Sequence, residues 1–326
     1  MWMNDLCNKD KVIIGMLHLD ALPGDPRYAA SDSLDIIIEH ARMDLKSLID
    51  GGVDAVLISN EFSFPYQRKM DFVTVACMAR IIGELKKDIT VLFGVDAISD
   101  GTATLELARA VDADFCRGTF SGVYVGDGGF YNNDISKLLR RKTELHLADL
   151  KMLYFINPES DKNLDTRELT EIAKSTVFKT GADGLCISAS AAGEDVNETL
   201  IQSVKDACPN IAVLANTGCR PDTIASKLKY ADAAVVGTYF KMDGKLQDDN
   251  GNNIRVDVNR VKELMDVVNR IRKEQMRQRV FWLMNRGVKL YQHLQRMVLI
   301  IQNQIISNMM QIKFGIKISA LSLKNY

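Results

Sequence analysis

Ala212-Val213-Leu214-Ala215-Asn216-Thr217-Gly218 and Ala233-Ala234-Val235-Val236-Gly237-Thr238 are two short apolar runs, each ending in small and polar residues. Arg220-Pro221-Asp222 opens the helical segment between them. A wholly apolar run of this length reads as a strand buried on both faces, and a helix joining two such strands makes a parallel βα unit. The same alternation extends back to residue 12. Its strand candidates are Val12 to Leu19, Ala55 to Asn60, Thr90 to Asp96, Asp114 to Gly118, Lys151 to Asn157, Gly184 to Ser190, Ala212 to Gly218 and Ala233 to Phe240. Eight strands with intervening helices predict an α/β fold of the (β/α)8, or TIM-barrel, type. It forms a single domain over residues 12–273, after a lead of residues 1–11 and before an extension of residues 274–326.

The joints between units support this reading. Gly51-Gly52-Val53-Asp54-Ala55, Val111-Asp112-Ala113-Asp114 and Gly181-Ala182-Asp183-Gly184 all place a small or turn-forming residue before an aspartate that leads into a strand. Such a residue closes a helix in a left-handed turn. Among the helical patterns, Ser33 to Asp50 has Asp32 or Ser31 available as a cap, and Asp165 to Thr180 has acidic residues in its first turn.

Composition narrows the function classes. The chain has 326 residues, 47% hydrophobic and 25% charged, which suffices for a substantial core. A net charge of -1 gives no general attraction to nucleic acid. Six cysteines without a C-x-x-C pair offer neither a zinc knuckle nor a disulfide framework, and the expected setting is reducing and cytoplasmic. Residues 1–11 lack the apolar core of a signal peptide, and no run approaches the ~20 apolar residues of a transmembrane segment. From Gln275 onward there are eight Lys or Arg and no Asp or Glu, which leaves -9 for residues 1–274. This basic tail is expected to lie outside the barrel; contact with a membrane surface or a partner is the alternative. Barrels often associate as homo-oligomers, but no helix face in this sequence identifies an interface.

In such a barrel the working residues lie at the C-terminal ends of the strands. These are His18 and Asp20, Asn60 and Glu61, Asp96, Arg117, Asn157, Ser188 and Ser190, and Asn216. Polar groups ending apolar strands would be costly if buried unpaired, which argues for a wet cleft. Gly218, Gly237 and Thr238 let backbone N–H groups approach a phosphate, and Lys241 follows nearby. His18, Glu61, Asp96 and Arg117 are the catalytic candidates. His18 has an ordinary pKa of ~6.5, suited to proton exchange near neutrality. Glu61 and Asp96 are candidate bases, and Arg117 is a clamp for an enolate or a second anion. No second histidine completes a His-x-His zinc pair. Mg2+ held by Asp20, Glu61 and Asp96 with a substrate phosphate stays open beside ordinary hydrogen bonding of those carboxylates. No lysine ends the fifth, sixth or seventh strand facing the cleft, which disfavours a Schiff-base aldolase. The glycine-rich loop Thr119 to Asp134, with Tyr124, Phe130 and Tyr131, is expected to serve as a lid or to be a flexible surface loop.

Gly15-Met16-Leu17-His18-Leu19, followed by Leu22-Pro23-Gly24-Asp25-Pro26-Arg27-Tyr28, resembles the opening signature of the BtpA family. The likeness continues through Gly51-Gly52-Val53-Asp54-Ala55, Phe93-Gly94-Val95-Asp96, Asn216-Thr217-Gly218 with Arg220-Pro221-Asp222, and Val235-Val236-Gly237-Thr238 with Lys241 and Asp243-Gly244. It runs over residues 11–273 and implies a TIM barrel with phosphate-binding relatives. Gly94-Val95-Asp96, Arg117 and Gly122-Val123-Tyr124 place the chain nearer the sugar-utilisation members than those of photosystem I biogenesis. Ile58-Ser59-Asn60 and Phe155-Ile156-Asn157-Pro158-Glu159 depart from the photosynthetic pattern. The expected function is therefore that of a lyase or isomerase acting on a small phosphorylated metabolite, such as a sugar phosphate. A non-catalytic assembly or stability factor is the alternative.

Overall fold

The apolar runs form parallel strands because each is buried on both faces, inward against the barrel axis and outward against helices. The computed structural model describes residues 2–285 except 30, 160 and 192. Its eight-stranded barrel consists of β1 (Val12–His18), β2 (Ala55–Ser59), β3 (Leu92–Asp96), β4 (Phe115–Gly118), β7 (Lys151–Asn157), β9 (Gly184–Ile187), β10 (Ala212–Ala215) and β11 (Ala233–Val236). They pair in that order, and β11 closes back on β1 with Val12 opposite Ala233. The helices between them are α2 (Leu34–Gly51), α3 (Phe72–Leu85), α4 (Gly101–Val111), α5 (Ile135–Glu144), α6 (Leu169–Thr180), α7 (Glu198–Ala207) and α8 (Ile224–Tyr230).

Alternation along the strands divides the core into two layers. Val12, Ile14 and Met16 of β1 join Leu57, Phe115, Leu153 and Leu214 inside the barrel. Ile13 and Leu17 instead join the layer packed beneath the helices. The N-terminal lead is not idle. Its helix α1 (Trp2–Cys7) sends Met3 into the interior cluster, and the Trp2 indole donates to the Asp183 carbonyl at 3.0 Å.

The recurring aspartates have a specific job at the base. Asp54, Asp114, Asp183 and Asp232 each precede a strand and accept a hydrogen bond from the first turn of the neighbouring one, at Ile13, Phe93, Met152 and Val213 respectively. Each aspartate also donates its own N–H to the carbonyl of that same neighbour. Bonds to a charged acceptor contribute roughly 1.5–3 kcal/mol each, so the motif fixes strand register at the end remote from the site. Left-handed backbone precedes three of these strands, at Gly52, Asp112 and Gly181.

Several boundaries differ from the sequence reading. Ser33 itself caps α2, accepting from the Ile36 amide, so neither Asp32 nor Ser31 does. α6 begins at Leu169 because Asp165 is taken up by Arg167. Residues 119–134 are an ordered hairpin, β5 (Val123–Gly126) and β6 (Gly129–Asn132), joined by β8 (Lys162–Asn163) in a small second sheet. Burial of Tyr124 and Tyr131 anchors it.

The chain divides into two units, Met1–Ile271 and Arg272–Tyr326. In the first, Val261, Leu264, Met265 and Val268 of α9 (Val258–Asn285) are buried. The second is helical as far as residue 285, and the rest of the predicted basic extension lies outside the described residues. Among the described residues no helix is long and apolar enough to cross a membrane.

Candidate active site

Following the inward alternation one step above the apolar layer gives His18, Ser59, Asp96, Arg117, Ser188, Asn216 and Gly237. The polar ring at the barrel mouth is thus a consequence of strand periodicity. Arg117 lies at its centre. Its Nε donates to Asp96 Oδ2 at 2.9 Å and a terminal nitrogen donates to Asn216 Oδ1 at 3.0 Å, while its guanidinium lies 4.8 Å from the centre of the Phe155 ring. Asn216 in turn donates to Ser188 Oγ at 3.1 Å and to Glu159 Oε2 at 3.4 Å.

Glu61 and His18 face each other beside this network, with His18 Nε2 3.8 Å from Glu61 Oε2. Burial pushes the Glu61 carboxyl up to about 7, against the pull of Arg117 and with help from Glu159 and Asp96. The Tyr66 hydroxyl donates to Glu61 Oε1 at 3.2 Å, and burial raises its own pKa, so it stays a proton donor. Burial, reinforced by the charges of Lys241, Arg117 and Arg255, holds His18 well below its usual range, so its ring is neutral near pH 7. Asp96 is pushed up by burial, with Arg117 opposing.

Two adjoining cavities open at this ring. The smaller, about 240 Å³, is lined by His18, Gly218, Arg220, Gly237, Thr238 and Arg260, among others. The larger, about 790 Å³, is lined by residues including Phe64, Tyr66, Arg68, Asp96 and Phe155. Glu61, Arg117 and Glu159 border both. Buried Lys227 shapes the smaller one, since its Nζ binds the Gly218 carbonyl and reaches the Thr217 carbonyl at 3.4 Å. A trans peptide directs its N–H opposite its C=O, so this grip turns the Gly218 and Cys219 amides the other way. Gly237 has no room for a Cβ, which would stand 2.8 Å from His18 Cε1.

The four catalytic candidates therefore meet at one place, as do Asn216, Gly218, Gly237 and Thr238. Other candidates brace the fold instead. Asn60 accepts from the Ile98 amide, and Asn157 exchanges bonds with the Ser188 backbone where β7 shifts register against β9. Neither lines either of the two cavities. Ser188 supports Asn216, and buried Lys241 is turned to Asp44 and Asn253 and lines neither cavity. Asp20 is occupied by Arg255, Asn253 and His40, so it does not join Glu61 and Asp96 in a cation site. Among the described residues no group of three or more His, Cys, Asp or Glu is arranged to hold a metal ion. Sequence reasoning passed over Glu159, Tyr66, Arg220 and Arg260. The strand-end rule would have reached Glu159, two residues beyond β7.

A family model described as the BtpA family matches residues 9–270. The chain belongs to the BtpA family. It is 39% identical over 272 residues to the sgc region protein SgcQ of Escherichia coli K12, covering 83% of this chain and 99% of that one. It is 27% identical over 239 residues to the photosystem I biogenesis protein BtpA of Synechocystis sp. PCC 6803, covering 72% and 82%. The sequence is thus nearer the SgcQ member of the family. A (S)-3-O-geranylgeranylglyceryl phosphate synthase from Thermoplasma acidophilum superposes with a TM-score of 0.51 at 15% identity, covering 81% of this chain and 96% of that one. That likeness concerns the TIM-barrel fold alone.

Proposed function

We propose that the barrel mouth is the active site of an enzyme acting on a small phosphorylated metabolite, a sugar phosphate, by proton transfer of the aldolase or isomerase kind without a Schiff base. The observation that carries the reading is Glu61, a carboxyl at the junction of two cavities whose pKa is raised to about 7. Such a group is close to half ionised at neutrality and serves as base and then as acid. The phosphate lies against Gly218, Gly237 and Thr238, with Arg220 and Arg260 on the same cavity wall. Glu61 removes the proton from the carbon beside the substrate carbonyl; the C–H electron pair becomes the carbon–carbon double bond of an enolate, and the carbonyl π pair moves to its oxygen. Arg117 stabilises the enolate charge. Returning the proton to the former carbonyl carbon, while the neighbouring hydroxyl's proton passes to the enolate oxygen, completes an isomerisation; in a carbon–carbon cleavage Glu61 instead takes the β-hydroxyl proton, the Cα–Cβ bond breaks, and the same kind of enolate is the leaving fragment. Neutral His18, 3.8 Å from Glu61, hands protons on. Among the described residues no lysine borders either cavity, which supports leaving the Schiff-base route aside.

The test follows carbon-bound hydrogen exchange by NMR when the protein is incubated with sugar phosphates in D2O. Exchange is expected with the native chain and is lost in Glu61→Gln, while the thermal shift given by the phosphorylated ligand persists in that variant. No thermal shift with any phosphorylated compound, from folded protein, would overturn the reading in favour of a non-catalytic assembly factor.

A further inference from the structure

We infer that the substrate is a phosphosugar carrying a planar ring, with its phosphate in the smaller cavity, its sugar at Glu61 and Arg117, and its ring in the larger cavity. The inference rests on the phosphate reading above and specifies what the rest of the molecule must be. The first observation is size. The larger cavity, at about 790 Å³, falls within the ~300–1,000 Å³ typical of sites for drug-sized ligands. A simple sugar phosphate seated with its phosphate in the other cavity would leave most of this one unused. The second is continuity, because Glu61, Arg117 and Glu159 border both spaces and one molecule can span them across the reacting groups.

The third observation is the chemistry of the wall. Phe64 and Tyr66 lie with ring centres 5.0 Å apart, the Arg27 guanidinium stands 4.9 Å from the Phe64 ring, and Arg117 backs Phe155. Such surfaces bind flat rings by stacking. The charges select further. The three arginines on this wall, Arg27, Arg68 and Arg117, face five carboxylates, Glu61, Asp96, Asp127, Glu159 and Asp161. Arg68 is bound to Asp161 at 3.2 Å and Arg117 to Asp96, so the lobe has no cationic surplus for a second anionic group. A neutral or weakly basic ring fits, and a nucleoside 5'-monophosphate, which carries phosphate, sugar and ring but lacks the reacting carbonyl, is the simplest probe of this binding geometry.

Calorimetric titration of the full chain with inorganic phosphate, ribose 5-phosphate, adenosine and uridine 5'-monophosphates and trehalose 6-phosphate tests the assignment. The expected result is at least about tenfold tighter binding of a nucleoside monophosphate than of ribose 5-phosphate, from base–aromatic stacking. That preference collapses in Phe64→Ala and weakens in Arg27→Ala, whose exposed position leaves folding unaffected, while ribose 5-phosphate binds both variants as it binds the native chain. Equal affinity for ribose 5-phosphate and both nucleotides overturns the ring assignment and leaves the phosphate site standing. Tightest binding of trehalose 6-phosphate overturns it too, in favour of a second sugar. Failure of every phosphorylated probe, inorganic phosphate included, overturns the phosphate reading and this inference together.

Discussion

Replacing Glu61 by Gln converts the central carboxyl into a group that does not titrate, and its effect on stability is expected to depend on pH in a defined way. The Glu61 side chain is 16% exposed, and burial raises its pKa from the usual 4.5 to about 7. The folded state therefore holds the proton more tightly than the unfolded chain. Between pH 4.5 and 7 the unfolded state ionises freely while the folded state does not, so this group's contribution to stability falls as pH rises through that window. Integrated over the window, the displacement amounts to about 3 kcal/mol, with the partial exposure trimming it. The Gln variant lacks this decline. Subtracting native from variant stability, measured by urea unfolding at pH 4, 5.5, 7 and 8, cancels the other titrating groups. The difference should climb by about 2–3 kcal/mol between pH 4 and 7 and then level off. With roughly 2.1 cal/mol/K of unfolding entropy per residue, that corresponds to about 5 °C in Tm for a unit of this size. A flat difference across the whole range, or one that levels off by pH 5, would refute the argument that Glu61 is held protonated into the neutral range. It would also remove the observation on which the catalytic proposal rests.

Lys241→Met leaves buried Asp44 with Arg255 at 3.4 Å as its one remaining ion-pair partner, beside the Val256 amide, and should cost about 3 kcal/mol in urea unfolding, with ligand affinity unchanged; lost phosphate binding in a stably folded variant would restore Lys241 to the site. Gly218→Ala places a Cβ 2.3 Å from the Glu194 carbonyl oxygen on backbone at φ +62°, so the loop must shift and the phosphate-dependent thermal shift should disappear. Retention of the full shift would mean that the Gly218 loop does not hold the ligand. His18 should stay neutral at pH values where an ordinary histidine has begun to protonate, since burial is the main cause of its lowered pKa. Nitrogen chemical shifts across a pH titration report this directly, and a midpoint at or above 6.5 would contradict it.

The barrel was legible because both of its sequence signals have direct physical causes. Strands buried on two faces must be apolar throughout, and the aspartates before Ala55, Phe115 and Gly184 bond the neighbouring strand's backbone; Asp232 before Ala233 does the same without having stood out in the sequence. Strand ends were less legible. Ser188 to Ser190 and Gly237 to Phe240 read as strand but turn into loops, because small residues suit either state, and these loops border the site. The segment reads as a flexible loop in sequence because four glycines outweigh a better clue; its turn residues Asp127 and Gly128 do border the larger cavity. Val123-Tyr124-Val125 and Phe130-Tyr131 flank Asp127-Gly128, a pair that favours a tight β-turn. Helix α1 had no such signal. Its placement depends on a partner far away in sequence, the barrel base that buries Met3.

A polar residue at the end of a buried strand must find a hydrogen bond, but that requirement does not say whether protein or ligand supplies it. Asn60, Asn157 and Ser188 answer it with neighbouring backbone or side chains, Asp20 with a half-buried ion pair and Lys241 with a buried one. Asn60, Asn157 and Ser188 tie the tops of adjacent strands together, as the aspartates tie their bases. The distinguishing property of a ligand-binding position is therefore a hydrogen-bonding account that does not close within the protein. Among the described residues, two buried side-chain atoms have no protein partner, His18 Nδ1 and Ser59 Oγ. His18 and Ser59 stand opposite each other on β1 and β2, and Ser59 stands opposite Asp96 on β3. Both orphaned atoms thus belong to the inward ring of strand-end residues, and His18 also lines the smaller cavity with Glu61 and Arg117. Ser59, one residue before Asn60, leaves its hydroxyl unpartnered but is fully buried and lines neither cavity, so of the two orphaned atoms it is His18 Nδ1 that belongs to a cavity-lining residue.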